Sequence, residues 1–323
     1  MKLLKVLSLL ILTTLVVACN NDDEGGSTSF SGNKNKNIAR YAGLEFPRIS
    51  NGNSTVITHS TPQYGVTYSL EWDHDLKAQR WTCYYFTIEN SKKYWKREYW
   101  KKGVNWDGKY WKGDPFQKDP DIPYAEQPNV IGEFSGSSYP DKGFSYFQRG
   151  HICPSEDRVA SMDTNGQTFY MTNMFPQGEY FNSGIWEVME KFVREDWGRK
   201  LKGARDTLFV VKGGTIDHED QILCRTRSGF IVPRYFFMAL LLKRGNSSPQ
   251  AMAFWVEHIN SDHSKDKLSD YVINIHELEQ KTCSRAGKND GIDFFCNLPD
   301  DIENSVETQD IETIKKLWGL TNR

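Results

Sequence analysis

Six stretches of this chain carry so many β-branched and aromatic side chains that they call for a sheet. They are "GVTYSLEW" (65–72), "RWTCYYFTI" (80–88), "TFYMTNM" (168–174), "TLFVVKGG" (207–214), "FIVPRYFFMALLLK" (230–243) and "AMAFWVEHI" (251–259). Gly, Asn, Asp and Pro bound these stretches and mark where strands stop. Helical periodicity is clearest over 183–199 and near 309–319. Many strands and few helices predict an α+β fold, a largely antiparallel sheet core with flanking helices. No second linker, repeat or low-complexity tract follows about Asn37, so residues 38–323 read as one domain. With 38% hydrophobic and 13% aromatic residues in 323, that domain has ample material for a core.

The first 18 residues belong to a different class of sequence. Lys2 and Lys5 precede the apolar run "VLSLLILTTLVVA", which is too short to span a bilayer comfortably and has the charge order of a secretory signal. "VVAC" resembles the lipobox of bacterial lipoproteins, with Val where Leu is usual, which makes Cys19 the lipidated residue. An uncleaved N-terminal anchor is the alternative. Residues 19–37 continue as "NNDDEGGSTSFSGNKNKN" after Cys19, a polar flexible tether whose acidic start looks like a surface-export signal. The expected address is the outer membrane or cell surface, facing the periplasm or the exterior, with the membrane held through Cys19.

An exported chain can form disulfides. Cys83, Cys153, Cys224, Cys283 and Cys296 remain once Cys19 is set aside, an odd number with no CxxC and no zinc-ligand spacing. Cys283 and Cys296 flank the loop "SRAGKNDG" and are the first candidates for a bridge. Cys153 stands two residues after His151, and an i, i+2 pair on an extended segment points to opposite faces, which argues against a Cys/His nucleophile.

In "FNSGIWEVMEKFVREDW", Ile185, Val188, Met189, Phe192 and Val193 make an amphipathic stripe, and Asn182, Trp186 and Glu190 line up along its edge. Alone, Asn182 reads as a helix N-cap and Glu190 as a solvated helix residue. Their company changes that reading. "RGHICPSEDR", "TFYMTNMFPQ" and "FNSGIWEVME" follow one another in the order and spacing of the DNA/RNA non-specific endonucleases, the ββα-metal nucleases. Arg149, Gly150, His151 and Pro154 match that family's first block. Asn173, Pro176 and Gln177 match the second, and Asn182, Gly184, Trp186 and Glu190 the third. The match is dense over 146–197 and looser over about 60–300. Gln148 departs from the pattern, which has Asp there. If the Asp tunes its Arg or His neighbour, the lost charge lowers activity; if it only orders the turn, Gln serves.

The resemblance implies roles. Phosphodiester hydrolysis needs an activated water, neutralised charge at phosphorus and help for the leaving oxygen. The histidine matching His151 is the family's general base, a task suited to a side chain that titrates near neutrality. The asparagine matching Asn182 binds Mg²⁺, an ion that keeps most of its water; Mn²⁺ or another divalent cation is an alternative. The glutamate matching Glu190 holds the ion's waters. Arg149 offers a guanidinium fork to phosphate oxygens, and the family's further upstream arginine is assigned to Arg97.

Residues 92–113, "KKYWKREYWKKGVNWDGKYWKG", set eight Lys/Arg against two acids in a chain of net charge −2. Such a balance excludes a generally cationic surface and makes this a local patch. Lys96, Lys101 and Lys102 beside Trp95 and Trp100 fit backbone-tracking and base-stacking on DNA or RNA. A packed hairpin or a glycan platform would use the same composition. The remaining histidines, His59 among them, have no matching partners and read as core or surface residues, and Asp157 and Arg158 as scaffolding. The favoured reading is an exported, Mg²⁺-dependent, sequence-non-specific lipoprotein endonuclease. The rivals are a non-catalytic nucleic-acid- or glycan-binding surface lipoprotein on a nuclease scaffold, and a narrower nucleotide phosphodiesterase.

Overall fold

The computed structural model describes residues 35, 42–134, 143–144, 146–283 and 290–321. The signal segment, Cys19, the tether apart from Asn35 and most of the loop after Cys283 lie outside the described residues. The architecture is α+β around a seven-stranded sheet. In chain order its first strands are β1 (Ser54–Thr61), β2 (Gly65–Asp73) and β3 (Ala78–Phe86). Small two-stranded sheets pair β4 (Val104–Trp106) with β5 (Lys109–Trp111), and β6 (Gln148–His151) with β7 (Met174–Gln177). The main sheet continues with β8 (Thr207–Gly214). After the hairpin of β9 (Ile222–Arg225) and β10 (Ile231–Pro233), it is completed by β11 (Tyr235–Lys243), β12 (Gln250–Glu257) and β13 (Val272–Ile273). Its order is β1-β2-β3-β8-β11-β12-β13, antiparallel throughout.

Both faces of this sheet are covered, which explains why its central strands carry apolar residues on both faces rather than alternately. Along β8, Leu208 and Val210 enter one core while Phe209 and Val211 enter the other. The same alternation sends Phe236, Met238 and Leu240 to the first core and Phe237, Ala239 and Leu241 to the second. The first core is shared with a long helix that runs as a π-helical turn (Phe181–Trp186), α2 (Glu187–Lys191) and a second π-helical stretch (Phe192–Trp197). The second core packs under α3 (Ile275–Thr282) and α4 (Asp300–Glu307), while Ile314 of α5 (Ile311–Leu317) returns to the first.

Several expectations need correction. Residues 168–174 are not a strand. Helix α1 (Met162–Gln167) precedes them, capped by Ser161, and a tight turn Met171–Asn173 delivers only the end of the block to β7. Local caps and side-chain bonds outweigh the β-rich composition there. The stretch 230–243 is cut at Arg234 into β10 and β11, next to Pro233, which lacks an N–H for continued pairing. In the long helix the buried arc is Ile185, Trp186, Met189, Phe192 and Val193; Val188 is 47% exposed because the arc has turned by one position toward Trp186. No disulfide joins Cys283 to Cys296; the Cys283 thiol donates to Glu279 O and the Cys296 thiol to Phe46 O.

The joint between the helix entrance and the sheet is made by His258. Its Nδ1 lies 3.0 Å from Pro233 O and its Nε2 accepts from Gly178 N–H at 2.8 Å, so the tautomer is fixed with the proton on Nδ1. Phe144, Phe147, Phe181 and Phe236 surround the ring. Burial pushes its pKa down to about 3. The unfolded chain therefore takes up a proton below about 6.5 that the folded chain refuses, and stability falls as pH drops from there toward 3. His258→Leu should lower stability at pH 7.5 by about 2 kcal/mol or more, since two buried backbone groups lose partners. In urea titrations the gap between wild type and variant should narrow as pH falls from 6.5 to 4. A gap that stays constant would mean that His258 is not held neutral.

Candidate active site

The strands β6 and β7 pair with Gln148 opposite Gln177, Arg149 opposite Pro176, Gly150 opposite Phe175 and His151 opposite Met174. Position 150 has to be glycine because a Cβ there would lie 2.1 Å from Oε1 of the buried Gln177. The connecting loop is stapled by Asn173, whose Oδ1 accepts from Cys153 N and whose Nδ2 donates to Cys153 O and Thr168 O, all within 2.9 Å. The long helix begins four residues after β7, so two strands and a helix present their chemistry to one cleft of about 490 Å³. Arg97, Arg149, His151, Asn182, Glu190 and Arg194 all line it. Five of these are sequence-predicted site residues, and the fold brings them together.

His151 is packed between the rings of Phe116 and Phe169, at 5.8 and 5.1 Å between centroids. Its Nε2 is enclosed and has no hydrogen-bond partner among the described residues. Burial, reinforced by the cations of Arg97, Lys212 and Arg149, holds its pKa well below the usual histidine value. The imidazole is therefore neutral and available as a base at physiological pH. Arg97 makes a two-pronged bond to Asp114, at 3.1 and 2.5 Å, and lies over the ring of Phe169. Arg149 stacks on Phe116 at 3.7 Å and donates to Val130 O at 3.2 Å. Each ring thus contacts both the base and one of the two guanidinium groups.

Asn182 is not a helix cap. Its N–H already bonds Gly178 O within the first turn, and its Nδ2 donates to Gln148 Oε1 at 2.7 Å. The helix kinks two residues later at Gly184. Glu190 is not a solvated helix residue either: its Oε1 accepts from Lys212 Nζ at 2.7 Å. Burial raises its pKa above the usual carboxylate value and Lys212 opposes that rise. Lys212, whose side chain is 1% exposed, comes from β8 and also sits 4.6 Å over the Trp186 ring. One turn beyond Glu190, Arg194 pairs with the buried Asp157 at 2.9 Å, and Tyr84 donates to the same carboxylate. Sequence reasoning missed Lys212 and Arg194. The signals were a lysine in the helix-facing phase of an apolar strand and an arginine at i+4 from Glu190.

An ion has hard oxygen atoms to meet in this cleft. With Nδ2 committed to Gln148, the Oδ1 of Asn182 has no donor among the described residues, and Glu190 retains Oε2. That donor set suits a magnesium-like cation and not a soft metal. A second cluster, His59, Asp119 and Asp121, has ligand-type atoms within 4.8 Å of one another. Asp119, however, already accepts from His59, Thr172 and the Asp121 N–H. It ties β1 to the segment that carries Asp114 and Phe116.

The basic stretch divides unexpectedly. Trp100 is fully buried and donates from Nε1 to Asn165 Oδ1 at 2.7 Å, so it offers no stacking face; Trp106 and Trp111 share its small core. Trp95 packs edge-on against Tyr99 and Trp100 and is partly covered. Lys96, Lys101 and Lys102 are exposed, as are Tyr94 and Tyr110 at 65% and 60%. Cys153 is buried, with its thiol pushed up to about 12, which removes it as a nucleophile.

The family model for DNA/RNA non-specific endonuclease matches residues 46–301. Nuclease C1 of Cunninghamella echinulata var. echinulata is 28% identical over 188 residues, 57% of this chain and 67% of that protein. The mouse mitochondrial nuclease EXOG is 27% identical over 193 residues, 57% of this chain and 46% of its own length. A nuclease of Nostoc sp. is 26% identical over 60% of this chain and 64% of that one. The chain thus spans about half the length of the mitochondrial relatives it matches. Among solved structures, an EndoG/EndoGI complex superposes with a TM-score of 0.55 at 18% identity, over 79% of this chain and 89% of the other, which is a likeness of fold.

The Lys212–Glu190 pair makes a sharp test of this arrangement. Lys212→Met leaves a buried carboxylate uncompensated and should lower stability by about 3–5 kcal/mol. Adding Glu190→Gln to that variant should recover part of the loss, since the orphaned charge is gone. Urea unfolding of the three proteins at pH 7.5 measures both effects. A Lys212→Met variant within about 1 kcal/mol of wild type would show that the pair bears little of the helix's attachment.

Proposed function

The chain belongs to the DNA/RNA non-specific endonuclease family, and on that footing we propose that it hydrolyses phosphodiester bonds of DNA and RNA without sequence specificity, using Mg²⁺. The observation that carries this reading is a neutral histidine, His151, sharing one cleft with two arginines and the Asn182 amide. His151 takes the proton of the attacking water. Since Nε2 is enclosed, the accepting lone pair is assigned to Nδ1. Arg149 and Arg97 bind the phosphoryl oxygens and offset their charge, each held in place by an aromatic ring. Asn182 Oδ1 and Glu190 would hold the cation, directly or through its water shell. When bound, that cation supplies Lewis-acid stabilisation of the phosphoryl charge and the departing oxygen.

The substrate path proposed for the strands runs along Lys96, Lys101 and Lys102. Phosphate contacts there carry affinity without reading bases. Tyr94 and Tyr110 replace Trp100 as stacking faces in this reading, because they are exposed. Attachment to the membrane is proposed through lipid on Cys19, at the outer membrane or cell surface. No helix among the described residues is long and apolar enough to cross a membrane.

Cleavage of plasmid DNA and RNA, with and without Mg²⁺ and chelator, tests the activity. His151→Ala should lower it by about 10²–10⁴-fold. The acid limb of kcat/KM should lie below 6.5, because the free enzyme holds His151 neutral. The limb of kcat should lie higher, because bound phosphate offsets the arginine charges. An acid limb of kcat/KM at or above 6.5 would contradict His151 as the base. On the His151→Ala background, Lys96→Gln, Lys101→Gln and Lys102→Gln together should flatten the salt dependence of duplex binding, by nearly one unit of slope per lost contact. Cys19→Ser should move the protein from the membrane fraction to the soluble or precursor fraction. Unchanged fractionation would favour an uncleaved anchor.

A further inference from the structure

We propose that a second cleft, joined to the catalytic one at Ser183, is a nucleobase subsite in which Tyr180 stacks on a base beside the scissile phosphate. The inference rests on the proposed function and deepens it, because it names where one base of the cleaved strand goes.

The second cleft holds about 430 Å³. Ser183 lines both clefts, so a phosphate held in one can have its base in the other. The long helix kinks at Gly184 in this wall, and a Cβ built there would meet no atom within 4 Å. Tyr180, 60% exposed, supplies an aromatic face and Val188 an apolar one. Val188 carries the apolar pattern of the helix yet stays out of the core, and this cleft is what it faces. The other wall is the loop after β12, which side chains tie to the helix entrance. His258 Nε2 accepts from Gly178 N–H at 2.8 Å, and two residues on, Asn260 Oδ1 accepts from Tyr180 N–H at 2.9 Å. His263 folds the rest of the loop back, its Nδ1 2.6 Å from Asp266 Oδ2 and its Nε2 3.2 Å from Ile259 O. The backbone under Tyr180 and the loop facing it are thus fixed before a ligand arrives, which lowers the ordering cost of binding.

The lining selects a base over a phosphate. No lysine or arginine among the described residues lines this cleft, whereas Glu179 and Asp262 do. Their charge repels a phosphate. Both ring nitrogens of His263 are already engaged, so it offers no free donor to an anion. A base brings a π-face for Tyr180 and N–H groups for carboxylate oxygens. Asp262 is held for that role by Ser264, whose N–H and hydroxyl donate to its two oxygens at 2.9 and 3.0 Å. Stacking accepts every base, so such a subsite suits cleavage without sequence preference. The arginine-lined cleft and its acidic neighbour divide one nucleotide between them, phosphate to the first and base to the second.

The test is a cleavage map of an end-labelled oligothymidine strand carrying one abasic residue, cut in the presence of Mg²⁺. Wild type, Tyr180→Phe and Tyr180→Ala are compared, with urea midpoints to confirm folding. In wild type, one bond flanking the abasic residue should be cut about 5–100-fold less than the same bond of the intact strand, because the subsite is left empty. Tyr180→Phe keeps the ring and should keep this deficit. Tyr180→Ala should cut the intact strand more slowly and erase the deficit. A wild-type map without a deficit overturns the subsite, and so does a deficit that survives Tyr180→Ala at full size. In both cases the strand is still cut, so the proposed function stands. If no strand is cut with Mg²⁺ or Mn²⁺, the proposed function and the subsite fall together.

Discussion

A single buried ion pair, Lys212 with Glu190, fixes how the active-site helix sits on the sheet. Charges of this kind tolerate little misplacement, because desolvation costs several kcal/mol per ion and only close geometry offsets it. Lys212 has to come from the helix-facing phase of β8, and Glu190 from the sheet-facing side of the helix. That contact, with the apolar face of the helix packed beside it, sets the helix against β8. Asn182, two turns upstream, is then delivered to Gln148, and Arg194, one turn downstream, to Asp157. Asp157 reaches back to β3 through Tyr84, so the helix is pinned to the sheet at a second point. The positions of the site's oxygen donors are thus consequences of charge pairing in the core.

The same lysine helps to set the chemistry of His151. Three cations, Arg97, Lys212 and Arg149, add to burial in disfavouring the imidazolium. Two of them are the groups proposed to receive phosphate, and a bound phosphodiester offsets part of their charge. The histidine is then a weak base in the empty cleft and a stronger one when substrate is bound. Lys212 behaves differently, since its charge is already matched by Glu190. The electrostatics therefore separate a fixed structural pair from a substrate-responsive pair, although Glu190 lines the same cleft as the two arginines.

Much of this was legible from the chain. Strands β8 and β12 follow from largely apolar runs bounded by turn residues, which a doubly covered sheet requires. The family blocks around His151, Asn182 and Glu190 converge on one cleft, as the resemblance implied. What stayed hidden depends on partners distant in sequence. Lys212 looks like a stray charge until Glu190 is placed beside it. His59 has no partner within reach along the chain, and finds Asp119 only when the segment carrying it folds over β1. Residues 168–174 have strand composition, but the caps and amide bonds of Ser161 and Asn173 make them helix end and turn. Composition reports what a segment can do; the bonds available elsewhere decide which option is taken.

The basic stretch shows the same logic at the surface. Seven aromatic residues interleave with its cations, and a reading by composition makes all of them available to a ligand. Trp100, Trp106 and Trp111 instead turn inward on Phe169 and Tyr170, forming a satellite core. Phe169 is also the ring that covers one side of His151 and carries Arg97 on its face. The buried tryptophans therefore act on the site without touching a substrate: they hold the platform from which the lysines project and brace the ring that shields the base. A chain with net charge −2 can in this way support a locally cationic edge next to its cleft. The exposed charges are free to face solvent or phosphate because the aromatic side chains between them supply the packing that keeps the segment in place.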